Sequence, residues 1–186
     1  VSGGKIEVGA DFQTATSGVY AIGDCIRRDG WASQAVRDGH DVAAVILGFS
    51  PAPPAHFVPR CSWAPPETAS VGLILAEALD LGIAARAARR ERSLSLRAAL
   101  NEAPDAAPGW IKLVFESDTL RLLGCHIVGA GASEIIGEAA LSIRAGLTLH
   151  DLAATLHPHP TRAQDLADAA RSILEAEPPA DKPCPP

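Results

Sequence analysis

The chain has 186 residues, 47% of them hydrophobic, and its 16 Lys and Arg against 22 Asp and Glu leave a net charge of -6. That is enough apolar material for one good core with a piece of a second domain, and an acidic balance without a long acidic block argues against nucleic acid or an anionic membrane as the main partner. Cys25, Cys61, Cys125 and Cys184 are too few and too scattered for a disulfide scaffold, so reduced thiols in a cytoplasmic setting are expected.

No apolar run approaches the length of a membrane span, and the N-terminus lacks a signal-peptide pattern. The first residue is Val1, which suggests a piece of something longer. Lys5 to Val8 alternates as a short strand would, and Val19 to Ile22 reads as a buried strand stopped by Gly23-Asp24. A glycine at a strand end lets another group approach the backbone, and the next carboxylate, Asp24, is placed either to accept hydrogen bonds from a polyol or ribose or to make a simple turn. Trp31 to Leu47 carries apolar residues at helical spacing and stops at Gly48. Residues 1–49 are therefore read as the tail of one domain, and the proline-rich Ser50 to Pro59 as a linker.

Beyond the linker the pattern is mixed α and β. Arg60 to Trp63 and Thr68 to Gly72 read as extended around Pro65-Pro66-Glu67, Leu75 to Leu81 as a short helix, and Ile83 to Leu96 as a long polar strand. The basic run Arg86 to Arg92 is expected to be a solvated strand edge. After a loop at Ala103 to Pro108, Trp110 to Glu116 and Leu120 to Val128 form a hairpin across Ser117 to Thr119. Helices are expected at Ser133 to Ala145, Leu149 to Ala154 and Arg162 to Leu174, and residues 175–186 are a proline-rich, disordered tail. Gly129-Ala130-Gly131 lacks the third glycine of a phosphate loop, Glu134 standing in its place, so a tight strand-to-helix turn suffices there.

The most constrained stretch is Leu156 to Asp165, LHPHPTRAQD. Pro158 and Pro160 hold His157 and His159 in extended backbone, and Thr161 with Gln164 reads as a capping box at the start of the next helix. Two readings stand for the braced imidazoles: loop surface, or proton transfer near neutral pH. Zinc is disfavoured, because no neighbouring Cys or His supplies a third ligand.

Taken together, TATSGVYAIGDC near the start, PPETASVG in the middle, GWIKLVFESDTLRLLGCHIVGAGASEIIGEA later and HPHPTRAQ near the end resemble the C-terminal part of the FAD-dependent pyridine nucleotide-disulfide oxidoreductase family, in its dihydrolipoyl dehydrogenase branch. The likeness runs in one order from about Gly4 to about Ala170. It implies an α+β interface domain over residues 60–174, an antiparallel sheet with helices on one face, preceded by the C-terminal end of an FAD-binding α/β domain. It implies that Gly23 and Asp24 close the flavin site, and that Gly30, Trp31, Ala32 and Ser33 start the helix beside the flavin ring. His159 would act as general acid/base toward a dithiol in the site of the partner subunit of a homodimer, and the residue five positions on would orient it.

That residue, usually Glu in the family, is Gln164; Ala64 stands at the threonine of the family's T-x-P-E segment, and Ser33 at a position often filled by His. The resemblance implies a parent enzyme passing electrons from a dithiol through FAD to NAD or NADP, with the lipoyl domain of a dehydrogenase complex as a possible partner. Mercuric ion, another disulfide or NAD(P)H alone are alternative substrate classes, and a non-catalytic dimerisation module is the competing class. The family's redox disulfide and both glycine-rich βαβ units are absent, so this chain alone is expected neither to hold FAD tightly nor to turn over.

Overall fold

Alternation decides the second half of the molecule. Ile111, Leu113 and Phe115 on β4 (Trp110–Glu116) point to one side and are buried, as are Leu122, Cys125 and Ile127 on β5 (Leu122–Val128). Burying side chains of this size contributes about 1.5–3 kcal/mol each. The registers Leu113↔Cys125 and Ile111↔Ile127 put them on one face, which β2 (Thr68–Gly72) extends with Ala69 and Val71. With β1 (Arg60–Ser62) and β3 (Ala85–Glu91) the sheet has five strands, all antiparallel, in the order β1-β2-β5-β4-β3.

The computed structural model describes residues 3–26, 30–50, 58–92, 97, 100 and 109–176, which fall into two compact units, Val1–Val58 and Pro59–Pro186. Most of the expected linker, the end of the long strand, the loop before β4, the tail from residue 177 and Cys184 lie outside the described residues.

Helices cover the apolar face of the sheet. After α2 (Leu75–Asp80), α3 (Ala132–Ala145) packs on β2 and β5; α4 (Leu149–Ala154) lies against α5 (Gln164–Ala176), which packs on β4 and β3. The opposite face carries polar His126 and Lys112 and is covered at one end, where Ala78 of α2 packs with Val114 and Leu123. Just past the end of β2 the chain runs so close to β5 that a Cβ on Gly124 would lie 2.0 Å from the Leu73 carbonyl oxygen, so no side chain fits there.

Several expected boundaries shift for local reasons. β5 starts at Leu122 instead of Leu120, because Leu120 is left-handed (φ 57°) and Arg121 pairs with Thr148. β3 is an edge strand, with Arg86 and Arg89 stacked over Phe115 and Trp110. Arg92 departs from the expected solvated edge: it is 3% exposed and its Nε lies 3.0 Å from Asp165 Oδ2 on α5.

In the first unit, α1 (Ala32–Ile46) forms as expected, but Lys5 to Val8 and Val19 to Ile22 do not become strands. A strand must hand its N–H and C=O groups to a neighbour. Here residues 12–21 fold back on themselves instead, through a Gln13–Tyr20 bridge with Thr14 N bonded to Val19 O at 2.8 Å and Ala21 N to Phe12 O at 3.1 Å, while Ile6 N bonds to Cys25 O at 2.8 Å. No helix among the described residues is long and apolar enough to cross a membrane.

Candidate functional site

Two constellations carry the expected site residues, one in each unit. In the first, Gly23 opens a 3-10 turn (Gly23–Cys25) at φ +68°, and a Cβ there would meet the Ala35 Cβ at 3.0 Å, so the turn lies directly on α1. Gly23 N donates to Asp38 Oδ2 at 3.1 Å while Gln34 Nε2 donates to Asp38 Oδ1 at 2.8 Å. Asp38 is fully buried and clamps the turn to the helix. Its signal was a carboxylate three residues after Ala35, on the inward side of α1.

Asp24 is exposed, its carbonyl accepting from Lys5 Nζ at 2.6 Å. A Cβ on Gly30 would stand 3.6 Å from Asp24 Oδ2, so the carboxylate sits beside the residue that leads into α1. Trp31 is the N-cap and supplies no side-chain cap, which leaves exposed Ala32 and Ser33 to open the helix with backbone N–H groups that need acceptors. The fold thus brings Gly23, Asp24, Gly30, Trp31, Ala32 and Ser33 together as a carboxylate acceptor next to helix-end donors. That donor and acceptor set suits a hydroxylated ligand with a polar ring edge.

In the second unit the two braced histidines part company. His157 Nε2 lies 3.1 Å from both carboxylate oxygens of Glu138 on α3, and its side chain is 8% exposed. His159 is exposed, and its Nδ1 lies 2.7 Å from Gln164 Oε1; Nε2 takes no partner among the described residues. The rings thus serve different partners, and no group of three metal-ligating side chains occurs among the described residues.

The expected capping box does not form. Thr161 Oγ1 is buried without a hydrogen-bond partner, and α5 starts at Gln164 through backbone bonds from Asp165 N to Arg162 O and from Leu166 N to Ala163 O. A glutamine has one carbonyl oxygen, and here it is engaged by His159 rather than by the cap. Beyond it, Gln164 Nε2 lies 3.5 Å from Asp168 Oδ2, a residue that motif reading passed over.

The strand-to-helix turn at Gly129-Ala130-Gly131 has an internal anion. Glu67 accepts from Gly131 N and Ser133 N, each at 2.7 Å, and from the Ser133 hydroxyl. Cys125 is wholly buried, and burial with Glu138 nearby pushes its thiol far up, so it offers no redox chemistry.

The profile of the family described as pyridine nucleotide-disulphide oxidoreductase, dimerisation domain, matches residues 58–170. A dihydrolipoyl dehydrogenase of Thermus scotoductus is 38% identical over 173 residues, covering 91% of this chain and 36% of that protein. One from Chlorobaculum parvum is 35% identical over 166 residues, covering 89% and 35%. Among solved structures, LpdA from Mycobacterium tuberculosis superposes with a TM-score of 0.79 at 27% identity, over 91% of this chain and 36% of that one. The HOCl-induced flavoprotein disulfide reductase RclA from Escherichia coli shares the fold, with a TM-score of 0.83 at 20% identity, over 91% of this chain and 39% of that one. The chain belongs to the pyridine nucleotide-disulfide oxidoreductase family and contains its dimerisation domain. It spans about a third of the length of these relatives.

Proposed function

We propose that this chain works as the dimer-forming part of an FAD-dependent disulfide reductase of the dihydrolipoyl dehydrogenase type, supplying a general acid/base histidine to the site of its twin subunit. One observation carries the reading: His159 is exposed, its ring held through Nδ1 by Gln164 Oε1 at 2.7 Å. An imidazole fixed at one nitrogen and open at the other is arranged to move a proton at Nε2. In the oxidation of dihydrolipoamide, Nε2 takes the proton of a substrate thiol as that sulfur becomes a nucleophile, and returns a proton to a thiolate on the reverse path.

Asp24, Gly23, Gly30 and the opening residues of α1, Trp31, Ala32 and Ser33, would hold FAD, with Asp24 accepting from hydroxyls and the helix end facing the ring. Bound there, the flavin would carry electrons from the dithiol to NAD or NADP. An exposed apolar surface supports a homodimer: Leu156, 96% exposed, immediately precedes His157, and exposed Leu141 lies on the helix from which Glu138 reaches that histidine. The free thiols at Cys25, Cys61 and Cys125 are in keeping with a cytoplasmic enzyme. A lipoyl domain would be the partner delivering substrate.

Two measurements test the reading. Sedimentation of the chain should show a dimer at micromolar concentration. A chimera carrying this chain in place of the matching third of the Thermus scotoductus relative should be yellow and oxidise dihydrolipoamide, with turnover falling about 10²–10⁴-fold on His159→Gln. A flavin-loaded chimera that is indifferent to that substitution would overturn the assignment.

A further inference from the structure

We propose that Asp168 is a positioning residue that sets the tautomer of His159 by orienting the amide of Gln164; its functional meaning rests on the acid/base reading of His159. A glutamine amide has an accepting end and a donating end. With Oε1 toward His159 Nδ1, the ring must carry its proton on Nδ1 and keep a lone pair on Nε2. With the amide reversed, the NH₂ group would face Nδ1 and the proton would move to Nε2. A carboxylate at position 164 would only accept and would impose the first arrangement unaided. Gln164 needs a neighbour to choose for it.

Asp168 makes that choice. It lies one helical turn further along α5, with Oδ2 3.5 Å from Gln164 Nε2, at the long end of hydrogen-bond range. Its carboxylate attracts the NH₂ end of the amide and repels the carbonyl end, so the oxygen is turned toward His159. The charge is itself held in place: Arg171 Nη1 donates to Asp168 Oδ1 at 2.8 Å and Arg90 Nη2 stands 3.9 Å from Oδ2. Arg171 is anchored in turn by the Ala153 carbonyl, which its Nη2 reaches at 3.0 Å. The order of control runs from a fixed carboxylate, through a polar amide with two possible orientations, to the proton position on an exposed ring.

Long-range ¹H–¹⁵N correlation spectra of the chain, taken where the imidazoles are neutral and assigned with His159→Gln, read the tautomer directly. The wild-type ring should show the Nδ1–H pattern. Asp168→Ala and the isosteric Asp168→Asn should each raise the Nε2–H share severalfold, while the His157 signals, governed by Glu138, stay in place and report that the fold is intact. Gln164→Glu combined with Asp168→Asn should restore the Nδ1–H pattern. An unchanged tautomer in a folded Asp168→Asn chain, or failure of the double variant to restore it, would overturn the proposal. The acid/base reading fails separately, if the chimera keeps its turnover on His159→Gln while the tautomer still follows Asp168.

Discussion

Glu67 closes the N-terminus of a helix that begins far along the chain: its carboxylate accepts from Ser133 N, 66 residues away in sequence, and from Gly131 N, both at 2.7 Å. The start of α3 thus carries its own anion, in the place where a glycine-rich turn invites comparison with a phosphate site.

The acid sensitivity of the fold should trace in part to that contact. Burial works to raise the Glu67 carboxyl, but hydrogen bonds from Ser133 and Gly131, with Arg92 nearby, outweigh it and hold the group below the ordinary value of 4.5. A carboxyl depressed in the folded state stabilises fully above its unfolded value and loses that contribution as pH falls through its folded value. Glu67→Gln should cost about 1 kcal/mol at neutral pH. The difference should shrink below pH 4.5, read as urea midpoints across the acid range.

The Arg92–Asp165 pair joins the end of β3 to α5 with both side chains almost wholly buried, at 4% and 2% exposure. Removing one partner strands the other charge, so Asp165→Ala should lower stability by about 3–5 kcal/mol. The double change Arg92→Met with Asp165→Leu should recover much of that loss in chemical denaturation. Additive losses would show that the pair is not coupled.

The two histidines should separate by assay. His157→Ala removes the contact to Glu138 and should lower the melting temperature, with little effect on proton chemistry. Among the described residues His159→Gln touches only the Gln164 contact, so it should leave melting unchanged while turnover of the chimera collapses. Gln164→Glu should raise turnover, because a carboxylate stabilises imidazolium where an amide does not.

Thiol reactivity should follow burial. Cys25 is exposed, Cys61 half-buried and Cys125 fully buried with its thiol pushed far up. Among these three, a disulfide reagent at pH 8, with peptide mass spectrometry, should label Cys25 first and Cys61 more slowly. Cys125 should react only after denaturation.

The sheet and its helices were legible where the pattern is local. β4 runs over the residues that alternation picks out, β2 over the extended stretch that follows the Pro65-Pro66-Glu67 turn, and α1, α3 and α4 begin and end within a residue of the spacing that marks them. Val19 to Ile22 misled because its apolar run says nothing about whether a neighbouring strand is there to pair with it. The T-x-x-Q signal misled because Gln164 has a second suitor, His159, that a capping rule ignores. Asp38, Glu67, Glu138 and Asp168 were missed as site-shaping groups: each acts on a side chain or backbone group that only the folded chain brings near.

An amide neither gains nor loses a proton across the biological range. A cationic His159 donates from Nδ1 and holds the Gln164 oxygen unaided, whereas under the proposed control a neutral ring relies on Asp168 to keep that oxygen turned toward it. What the amide gives up in driving force it returns as a partner whose own charge never changes, with any response to acid left to the ring and to Asp168.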